Sequence, residues 1–325
     1  MKISVAMCTY NGAEFLSAQL QSIITQSRPP DEIVICDDRS TDDTPKLLEK
    51  LATESPIPIK LHINDQNLGS VKNFERAISL CNSDVIALSD QDDVWRNDKL
   101  QLFETILNNS PSAGIVFSDA AIVDQDLKPL NRRMWDEVGF DAHKRKLVRT
   151  GHALEVLITG WTVTGATMAF RSRFVKLSLP IPEGIAMIHD GWIALTIAAV
   201  ADVVALDEPL IQYRQHAQQQ IGAPARKEAE PEQRGVQAAF RRRNSSADLH
   251  KILETLEARL MAQAKDFDTR KALSFVTDYA FHLNVRANLP QRRLNRVPGI
   301  LRELLSLRYH EYANGFKSAA KDLVS

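Results

Sequence analysis

Three carboxylates lie within four residues of one another, directly after an apolar segment. The segment covers residues 84–88, and the carboxylates that follow it are Asp90, Asp92 and Asp93. Its length and composition predict a buried strand, but burying three unpaired carboxylates would be very costly. We therefore expect them at the exposed carboxyl end of the strand, the edge where open α/β sheets bind ligands. Packed carboxylates beside substrate phosphates suit Mg²⁺ or Mn²⁺, which take oxygen ligands. A helix cap or a solvated turn is the alternative interpretation.

Polar residues also follow two earlier predicted strands. The first strand is followed by Thr9, Tyr10, Asn11 and Gly12, whose backbone N–H groups can face a ligand at the start of the next helix. An ordinary βα turn would use the same residues. Asp37 and Asp38 end the second strand, where a carboxylate can accept a hydrogen bond from a ribose hydroxyl or a base. For Asp38 and Asp42, helix capping is the favoured interpretation.

Further candidates occur later in the chain. Asn67 and Gly69 follow the third strand, and the glycine would let the backbone approach a nucleotide closely. His189 and Asp190 precede a predicted helix, and His216 ends a predicted strand. From the residues alone, Asp190 suits the capping of that helix equally well, and a single histidine after a strand is more often structural than a ligand.

These residues lie on segments that alternate between strand and helix patterns. Strands are predicted at residues 3–8, 32–36, 59–63, 84–88 and 114–117, and helices between them at 13–26, up to 51, 70–81 and 97–108. This alternation predicts βαβ units and a parallel sheet, and right-handed crossovers then place the functional loops on one edge. Later strands are predicted at 120–123, 166–170, 203–206 and 210–213, and later helices at 144–158 and 189–200.

The last hundred residues differ in charge and pattern. Residues 1–225 contain 21 Lys or Arg and 29 Asp or Glu, whereas residues 226–325 contain 19 and 12. Residues 222–233 have the composition of a linker, and amphipathic helices are predicted beyond it at 236–264, 271–283 and 300–323, with breaks at Pro290 and Pro298. We expect a domain at residues 1–220, a linker at 221–234 and a basic helical extension at 235–325.

The composition limits the class of protein. The chain has 325 residues, of which 44% are hydrophobic and 25% charged, as in ordinary globular proteins. Three cysteines without paired spacing favour a reducing compartment. The chain runs directly into a strand without a secretory signal, and its longest apolar stretch, residues 191–206, is too short to span a bilayer. These features predict a cytoplasmic protein.

The arginines of the helical extension indicate which partners this extension could bind. They are interspersed with Leu, Ile and Val, as in helices that lie on anionic membranes, here the inner face of the plasma membrane. A solvated helix face packed on the main domain is the alternative. No nucleic-acid module is recognisable, and nucleic acid is not an expected partner. The arginines are Arg241, Arg242, Arg243, Arg286, Arg292, Arg293, Arg296, Arg302 and Arg308.

Six segments occur in the order expected of inverting family 2 glycosyltransferases, and the chain most resembles their bacterial rhamnosyltransferase-type branch. The most specific segment is SDQDDVW at residues 89–95, and the others lie at 8–12, 35–42, 67–69, 189–192 and 213–216. The resemblance covers residues 1–220. It implies an α/β fold of the nucleotide-diphospho-sugar transferase (glycosyltransferase A) type, with a Rossmann-like mixed sheet followed by the helical extension.

The resemblance also assigns roles to residues. Asp190 would be the general base that takes a proton from an acceptor hydroxyl. Asp92 would bind Mg²⁺ or Mn²⁺ with His216 as a further ligand, and Asp37 would contact the nucleobase. The expected donor-binding residues are Thr9, Tyr10, Asn11, Asp37, Asn67, Gly69 and Asp90, and the expected acceptor residues are Trp95, Gly165, His189 and Trp192. For Trp95, Gly165 and Trp192, a purely structural place in the core is the alternative.

The implied activity is the transfer of a sugar, and the resemblance to this branch implies deoxythymidine diphosphate L-rhamnose as the donor. The acceptor would be a saccharide or lipid-linked saccharide of a bacterial surface polysaccharide. A metal-dependent sugar nucleotidyltransferase shares the sheet, the metal and the carboxylates, but it would need a basic loop after the first strand, and residues 9–14 are not basic. A non-catalytic sugar- or membrane-binding relative of the same fold is the alternative from a different class.

Overall fold

Nine strands form one mixed sheet in the part of the chain that this computed structural model describes, residues 1–160, 162–217, 219 and 246–324. The strand order is β3-β2-β1-β4-β8-β6-β9-β5, and β7 pairs with β6 outside this path. The strands are β1 (Ile3–Thr9), β2 (Glu32–Asp37), β3 (Ile59–Ile63), β4 (Val85–Ser89), β5 (Val94–Trp95), β6 (Ala113–Val123), β7 (Pro129–Arg133), β8 (Met168–Arg171) and β9 (Asp202–Arg214).

Helices follow most of these strands, as the alternating pattern predicts. The α-helices of this part are α1 (Ala13–Ile24), α2 (Thr44–Glu54), α3 (Ser70–Leu80), α4 (Lys99–Asn109), α5 (Met134–Glu137), α6 (Ala142–Arg149), α7 (Ala153–Leu157), α8 (Val175–Ser178) and α9 (His189–Ala198). Short 3₁₀ turns cover Gly165–Thr167 and Ser172–Phe174.

The first half of the sheet is parallel. β1 pairs in parallel with β2 and β4, and β2 pairs in parallel with β3. Every residue of β1, β2 and β4 is buried, which accounts for their continuous apolar composition. Because parallel strands share one direction, the ends of β1, β2 and β4 meet at a single edge of the sheet, and the residues that follow them are brought together there.

The second half departs from the predicted parallel arrangement. β8 is antiparallel to both β4 and β6, and β5 is antiparallel to β9. The predicted strands 114–117 and 120–123 are one strand, β6, and 203–206 and 210–213 are one strand, β9. These two long strands pair in parallel with register shifts that let them continue past the polar residues between the apolar runs. The predicted mixed α/β sheet with C-terminal helices is confirmed.

Two helix predictions need correction. The predicted helix at 144–158 is two helices, α6 and α7, separated by Gly151, whose φ of +86° ends the first one. Pro298, expected to break a helix, lies inside one (Arg293–Leu305).

The described chain divides into two compact units, Met1–Glu183 with Met187–Arg243 and Gly184–Ala186 with Asn244–Ser325. The helices of the second unit are α10 (Ser246–Ala262), α11 (Arg270–Ala287), α12 (Arg293–Leu305), α13 (Arg308–Tyr312) and α14 (Phe316–Val324). The linker expected at 221–234, the start of the helix expected at 236 and the arginines at 241–243 lie outside the described residues.

The second unit has a largely apolar core that also contains buried polar pairs. His282 Nδ1 lies 2.8 Å from Glu303 Oε2, and both side chains are buried. The Tyr309 hydroxyl donates to Asp322, which also pairs with Arg286. No helix in the described ranges combines the length and the apolar composition that crossing a bilayer requires.

Candidate active site

A cavity of about 550 Å³ lies at the carboxyl ends of β1, β2 and β4. It gathers residues that the sequence separates by up to about two hundred positions. Of the predicted site residues, those that line it are Thr9, Tyr10, Asn11, Asp90, Asp92, Gly165, His189 and Asp190. The predicted residues outside its lining are Asp37, Asn67, Gly69, Trp95, Trp192 and His216.

The loop that directly follows β4, residues 90–93, is called the acidic loop, and residues at the end of β9 hold it in place. The backbone N–H of Arg214 donates to Asp93 Oδ1 at 3.1 Å, and its side-chain Nε donates to the Asp92 carbonyl at 2.6 Å. Arg214 also donates to the Gln125 carbonyl and lies over the Phe15 ring. The loop is therefore held by a strand far along the chain, and its carboxylates are positioned before any ligand arrives.

Like charges and burial shape the protonation of this loop. Burial, and then the neighbouring carboxylates of Asp92 and Asp190, raise the pKa of Asp90 to about 7. The pKa of the fully buried Asp93 is also raised, first by burial and then by Asp92 and Asp90. Among the described residues, Asp93 Oδ2 has no hydrogen-bond partner. A cation at this loop would relieve the repulsion and favour the charged forms.

His216 is brought to the same loop from the end of β9. Its Nε2 lies 2.9 Å from Asp92 Oδ2, and its ring packs on Phe15 at 4.4 Å between centroids. No three His, Cys, Asp or Glu side chains of the described ranges are grouped as a complete metal site. A carboxylate and an imidazole side by side are nevertheless the donors that Mg²⁺ or Mn²⁺ takes together with substrate phosphates and water. The residues present therefore fit an ion that the substrate helps to bind.

The loop after β1 does not offer its backbone to a ligand, contrary to expectation. The N–H of Tyr10 donates to Gln91 Oε1 at 2.8 Å, that of Asn11 to Ser40 Oγ at 2.8 Å, and that of Gly12 to Thr44 Oγ1 at 2.9 Å. All three donors are thus occupied by side chains from other elements. Thr9, Tyr10 and Asn11 still line the cavity.

The second strand places Asp38, rather than Asp37, at the cavity. Asp37 is fully buried, and its carboxylate accepts hydrogen bonds from Thr9 Oγ1, Ser40 Oγ and the Ser40 N–H. Asp38 lines the cavity and accepts from the N–H groups of Leu68 and Gly69. The resemblance implied Asp37 at the nucleobase, and helix capping was favoured for Asp38; consecutive residues at a strand end point to opposite sides, and the sequence pattern does not show which one faces out.

Asp190 is the second residue of α9 and lines the same cavity as the acidic loop. Its Oδ2 accepts a hydrogen bond from the Gly165 N–H at 3.0 Å, and its Oδ1 accepts from the Gly191 N–H at 2.6 Å. The neighbouring His189 stacks on Phe74 at 4.1 Å, and burial lowers the pKa of His189 to about 3, so the imidazole is neutral. Gly165 is closely packed here: a Cβ on it would lie 3.1 Å from His189 Nε2.

Four predicted residues have structural surroundings instead. Trp192 is fully buried, and its Nε1 donates to the Ser178 carbonyl at 2.9 Å, so it is a core residue. Trp95 is buried under the Lys99 ammonium. Asn67 hydrogen-bonds the Asp38 carbonyl and the Gly69 N–H, and Gly69, with φ of +79°, begins the turn into α3. These contacts shape the loops behind the cavity.

Sequence reasoning missed several lining residues. Asn73 and Phe74 come from the buried face of α3, and a polar residue at an apolar helical position was the available signal. Gln91 lies between Asp90 and Asp92, and the charges of these two neighbours are the stronger sequence signal. The other lining residues are Cys8, Asp38, Thr41, Asp42, Ser70, Thr164, Ile188, Tyr213 and Gln219.

Comparisons with known proteins agree with this architecture. The family model described as Glycosyl transferase family 2 matches residues 4–177. An uncharacterized glycosyltransferase of Nostoc sp. is 29% identical over 219 residues, covering 66% of this chain and 65% of that protein. The dTDP-rhamnosyl transferase RfbG of Shigella flexneri is 40% identical over 99 residues, covering 29% of this chain and 34% of that protein. The chain thus spans less than two thirds of the length of either relative.

A solved structure shares the fold. Residues 1–349 of S. aureus TarS, solved in complex with UDP-GlcNAc, superpose with a TM-score of 0.56 at 14% identity, covering 99% of this chain and 91% of that one. At this identity the likeness concerns the fold alone.

Proposed function

The chain belongs to glycosyl transferase family 2, and we propose that it transfers a sugar from a nucleoside diphosphate donor to a saccharide acceptor with inversion at the anomeric carbon. One observation carries the proposal: a single cavity is lined by Asp90 and Asp92 at the side of β4 and by Asp190 at the side of α9. One side can hold a diphosphate with a cation, and the other can take a proton. A single displacement needs these two functions and no covalent enzyme intermediate.

The charges of the cavity support the assistance of a metal ion. Its described lining residues include Asp38, Asp42, Asp90, Asp92 and Asp190 but neither Lys nor Arg. A diphosphate would meet only negative charge there unless a cation came with it. Asp92 and His216 would hold Mg²⁺ or Mn²⁺, with Asp90 contacting its waters or the ribose. Such an ion stabilises the negative charge of the departing nucleoside diphosphate.

Asp190 is the group that we assign to proton removal. It is 3% exposed, so bulk water does not compete for its oxygens. The N–H groups of Gly165 and Gly191 fix the orientation of its carboxylate. A general base must lie within hydrogen-bond reach of the proton that it removes. We therefore place the acceptor hydroxyl beside Asp190, with His189 and Gly165 as the adjacent surface.

The base of the nucleotide is assigned to the side of the cavity formed by the loops after β1 and β2. Thr9, Tyr10 and Asn11 line this side, and Asp38 replaces Asp37 as the carboxylate that faces it. Asn67 and Gly69 act indirectly, because they shape the loop that Asp38 holds. Trp95 and Trp192 are left out of the acceptor site because both are buried in the core.

For the donor we propose dTDP-L-rhamnose, and for the acceptor a saccharide or lipid-linked saccharide of a bacterial surface polysaccharide. The support is the similarity to RfbG, a dTDP-rhamnosyl transferase, and to the abequosyltransferase RfbV of Salmonella typhimurium, which is 34% identical over 111 residues. A sugar nucleotidyltransferase is disfavoured, because it would need a basic phosphate-binding loop after β1, and residues 9–14 contain no Lys or Arg.

We also propose that the helical unit contacts an anionic membrane surface. Leu294, Leu301 and Leu305 recur at helical spacing on α12 and are 86%, 51% and 84% exposed. Arg292, Arg293 and Arg302 are exposed beside them. An apolar stripe flanked by arginines matches a bilayer interface that carries negative headgroups.

The test of the activity is calorimetric binding of nucleoside diphosphates and their sugars, with and without Mn²⁺, to the wild type, Asp92→Ala and Asp190→Asn. We expect Mn²⁺-dependent binding of thymidine or uridine diphosphate, lost in Asp92→Ala and kept in Asp190→Asn. Transfer should fall about a hundredfold or more in Asp190→Asn, the usual size of a general-base contribution. Absence of nucleotide binding under every metal condition would refute the proposal, and transfer unchanged in Asp190→Asn would exclude it as the base.

A further inference from the structure

A buried lysine lies directly behind the acidic loop, and the proposed chemistry does not use it. Lys99 is the first residue of α4, and its side chain is fully buried. Its Nζ donates to the Ala166 carbonyl at 2.6 Å and lies 3.4 Å from the centroid of the Trp95 ring. An ammonium group is costly to remove from water. A side chain that only filled this space would be apolar, so the charge at this position calls for a reason.

The carbonyl that Lys99 binds belongs to the turn that holds Asp190. Gly165–Thr167 form a 3₁₀ turn at the floor of the cavity. The Gly165 N–H donates to Asp190 Oδ2 at 3.0 Å, and the adjacent Ala166 carbonyl accepts from Lys99. The turn is thus held from two sides, by a carboxylate that faces the cavity and by an ammonium group that lies beneath it.

The same ammonium group lies against a residue just after the acidic loop, because its Nζ is 3.4 Å from the centroid of the Trp95 ring, two residues after Asp93. Burial lowers the pKa of Lys99 well below its usual value, and the charges of Asp93 and Asp90 oppose that shift. These two carboxyls have few other compensating contacts, since one oxygen of Asp93 has no hydrogen-bond partner in the described ranges. Lys99 is therefore linked by a hydrogen bond to the turn at residues 165–167 and by its contact with the Trp95 ring to the segment that follows the acidic loop.

We infer that Lys99 is a positioning residue, whose ammonium group fixes the 165–167 turn relative to the acidic loop and thereby keeps Asp190 at a set place across the cavity. This inference rests on the proposed function, in which the donor binds at the loop and the proton is taken by Asp190. Errors of about 1 Å between reacting groups cost on the order of a hundredfold in rate. Lys99 touches neither substrate and acts only through the turn.

The test compares Lys99→Met with a matched control, Phe103→Leu. Methionine fills similar volume without charge or donor, so it leaves the buried Ala166 carbonyl without its donor, and we expect it to lower stability as well. Phe103 lies one turn further along α4, with its ring 5.7 Å from the same ammonium group. The control therefore loosens the packing around Lys99 and keeps its hydrogen bond. Both variants are made in the full chain.

The first readout is hydrogen–deuterium exchange of the peptide that covers residues 162–170, measured without ligands. We expect Lys99→Met to exchange faster there than Phe103→Leu does at a comparable loss of melting temperature. Phe103→Leu should lower the melting temperature and leave the exchange of this peptide as in the wild type. Equal exchange in the wild type and Lys99→Met would overturn the inference, whatever the activity shows.

The second readout is release of nucleoside diphosphate from the nucleotide sugar that binds in the calorimetric panel. Lys99→Met should lower kcat about tenfold to a hundredfold, with the KM for the donor within about threefold of the wild type. Phe103→Leu should keep both constants. A kcat equal to the wild type, or a loss of donor binding as large as the loss of kcat, would overturn the inference. A wild type that binds and cleaves no nucleotide sugar would refute the proposed function instead, and the exchange measurement would still decide whether Lys99 holds the turn.

Discussion

His216 Nε2 lies 2.9 Å from Asp92 Oδ2, although 124 positions separate the two residues. The contact forms because β5, just after the acidic loop, pairs with β9, whose end carries His216. The two side chains are hydrogen-bonded to each other, and the same pair would be the one to hold a cation that the substrate helps to bind.

Replacement of His216 by alanine should weaken Mn²⁺ binding without a matching effect on the nucleotide. We expect a loss of about tenfold to a hundredfold in Mn²⁺ affinity, as for the removal of a partner from a metal site. Nucleotide affinity measured without metal should stay within about twofold. Isothermal titration gives both constants. Phe15→Leu is the control, because it removes the ring that packs on His216 and keeps the donors. Equal Mn²⁺ affinity in His216→Ala and the wild type would show that His216 is structural.

Gly12 is required by a side chain rather than by its own backbone angles. A Cβ on Gly12 would lie 2.0 Å from Gln91 Oε1. Gln91 cannot move away freely, because its amide both accepts from the Tyr10 N–H and donates to the Tyr10 carbonyl. Gly12→Ala should therefore break both hydrogen bonds and cost about 1–3 kcal/mol of unfolding free energy.

A double-mutant cycle checks this reason. Gln91→Ala should cost a similar amount, and Gly12→Ala combined with Gln91→Ala should cost little more than either change alone, because both remove the same pair of hydrogen bonds. Urea denaturation of the four proteins measures the free energies. Additive losses would mean that Gly12 is needed for a different reason.

The sequence sufficed for the parallel half of the sheet and for the acidic loop. Local patterns decide both: apolar runs mark β1, β2 and β4, and adjacent carboxylates must lie where a strand ends. The sequence did not suffice where a side chain from a distant part of the chain occupies a backbone N–H group. The backbone donors of Tyr10 and Asn11 are occupied by Gln91 and Ser40, and no local signal reveals that.

The sequence also could not show which of two neighbouring residues faces the cavity. Asp37 and Asp38 are chemically identical, and only the exact end of β2 decides which of them faces the cavity. Tryptophan suits sugar stacking and core packing alike, and only the tertiary structure shows that Trp95 and Trp192 both lie in the core.

His189 should make the protein less stable in acid. Its imidazole is 6% exposed and stacked on Phe74, and burial lowers its pKa to about 3. The unfolded chain takes up a proton near the usual histidine pKa of about 6.5, whereas the folded chain does not. The contribution of His189 is therefore fully present above pH 6.5 and is lost as the pH falls toward 3. The loss approaches about 1.4 kcal/mol per pH unit between these values.

The measurement is the free energy of unfolding of the wild type and His189→Gln between pH 4.5 and 7.5. Glutamine does not titrate, so the wild type should lose stability relative to the variant as the pH falls, by about 2–3 kcal/mol from pH 6.5 to 4.5. A constant difference between the two proteins would mean that His189 has the same pKa in the folded and unfolded chains, so that burial does not lower it.

The leucine stripe of α12 should carry the affinity of the chain for anionic membranes. Leu294, Leu301 and Leu305 are at least half exposed and share one face of the helix, beside Arg293 and Arg302. Burial of a leucine side chain contributes about 1.5–3 kcal/mol, so replacing all three by serine should lower partition onto phosphatidylglycerol vesicles by more than about tenfold. The control is Met261→Ser on α10, which removes an apolar side chain that is 60% exposed and lies outside the stripe.

Sedimentation with vesicles at low and high salt measures this partition. The wild type should bind phosphatidylglycerol vesicles better than phosphatidylcholine vesicles and lose much of that preference in high salt, because screening weakens the arginine contribution. Equal sedimentation of the wild type and the triple variant would refute membrane contact through α12. A wild type that binds no vesicles, but whose dimer in light scattering is abolished by the triple variant, would show instead that the stripe joins two copies of the chain.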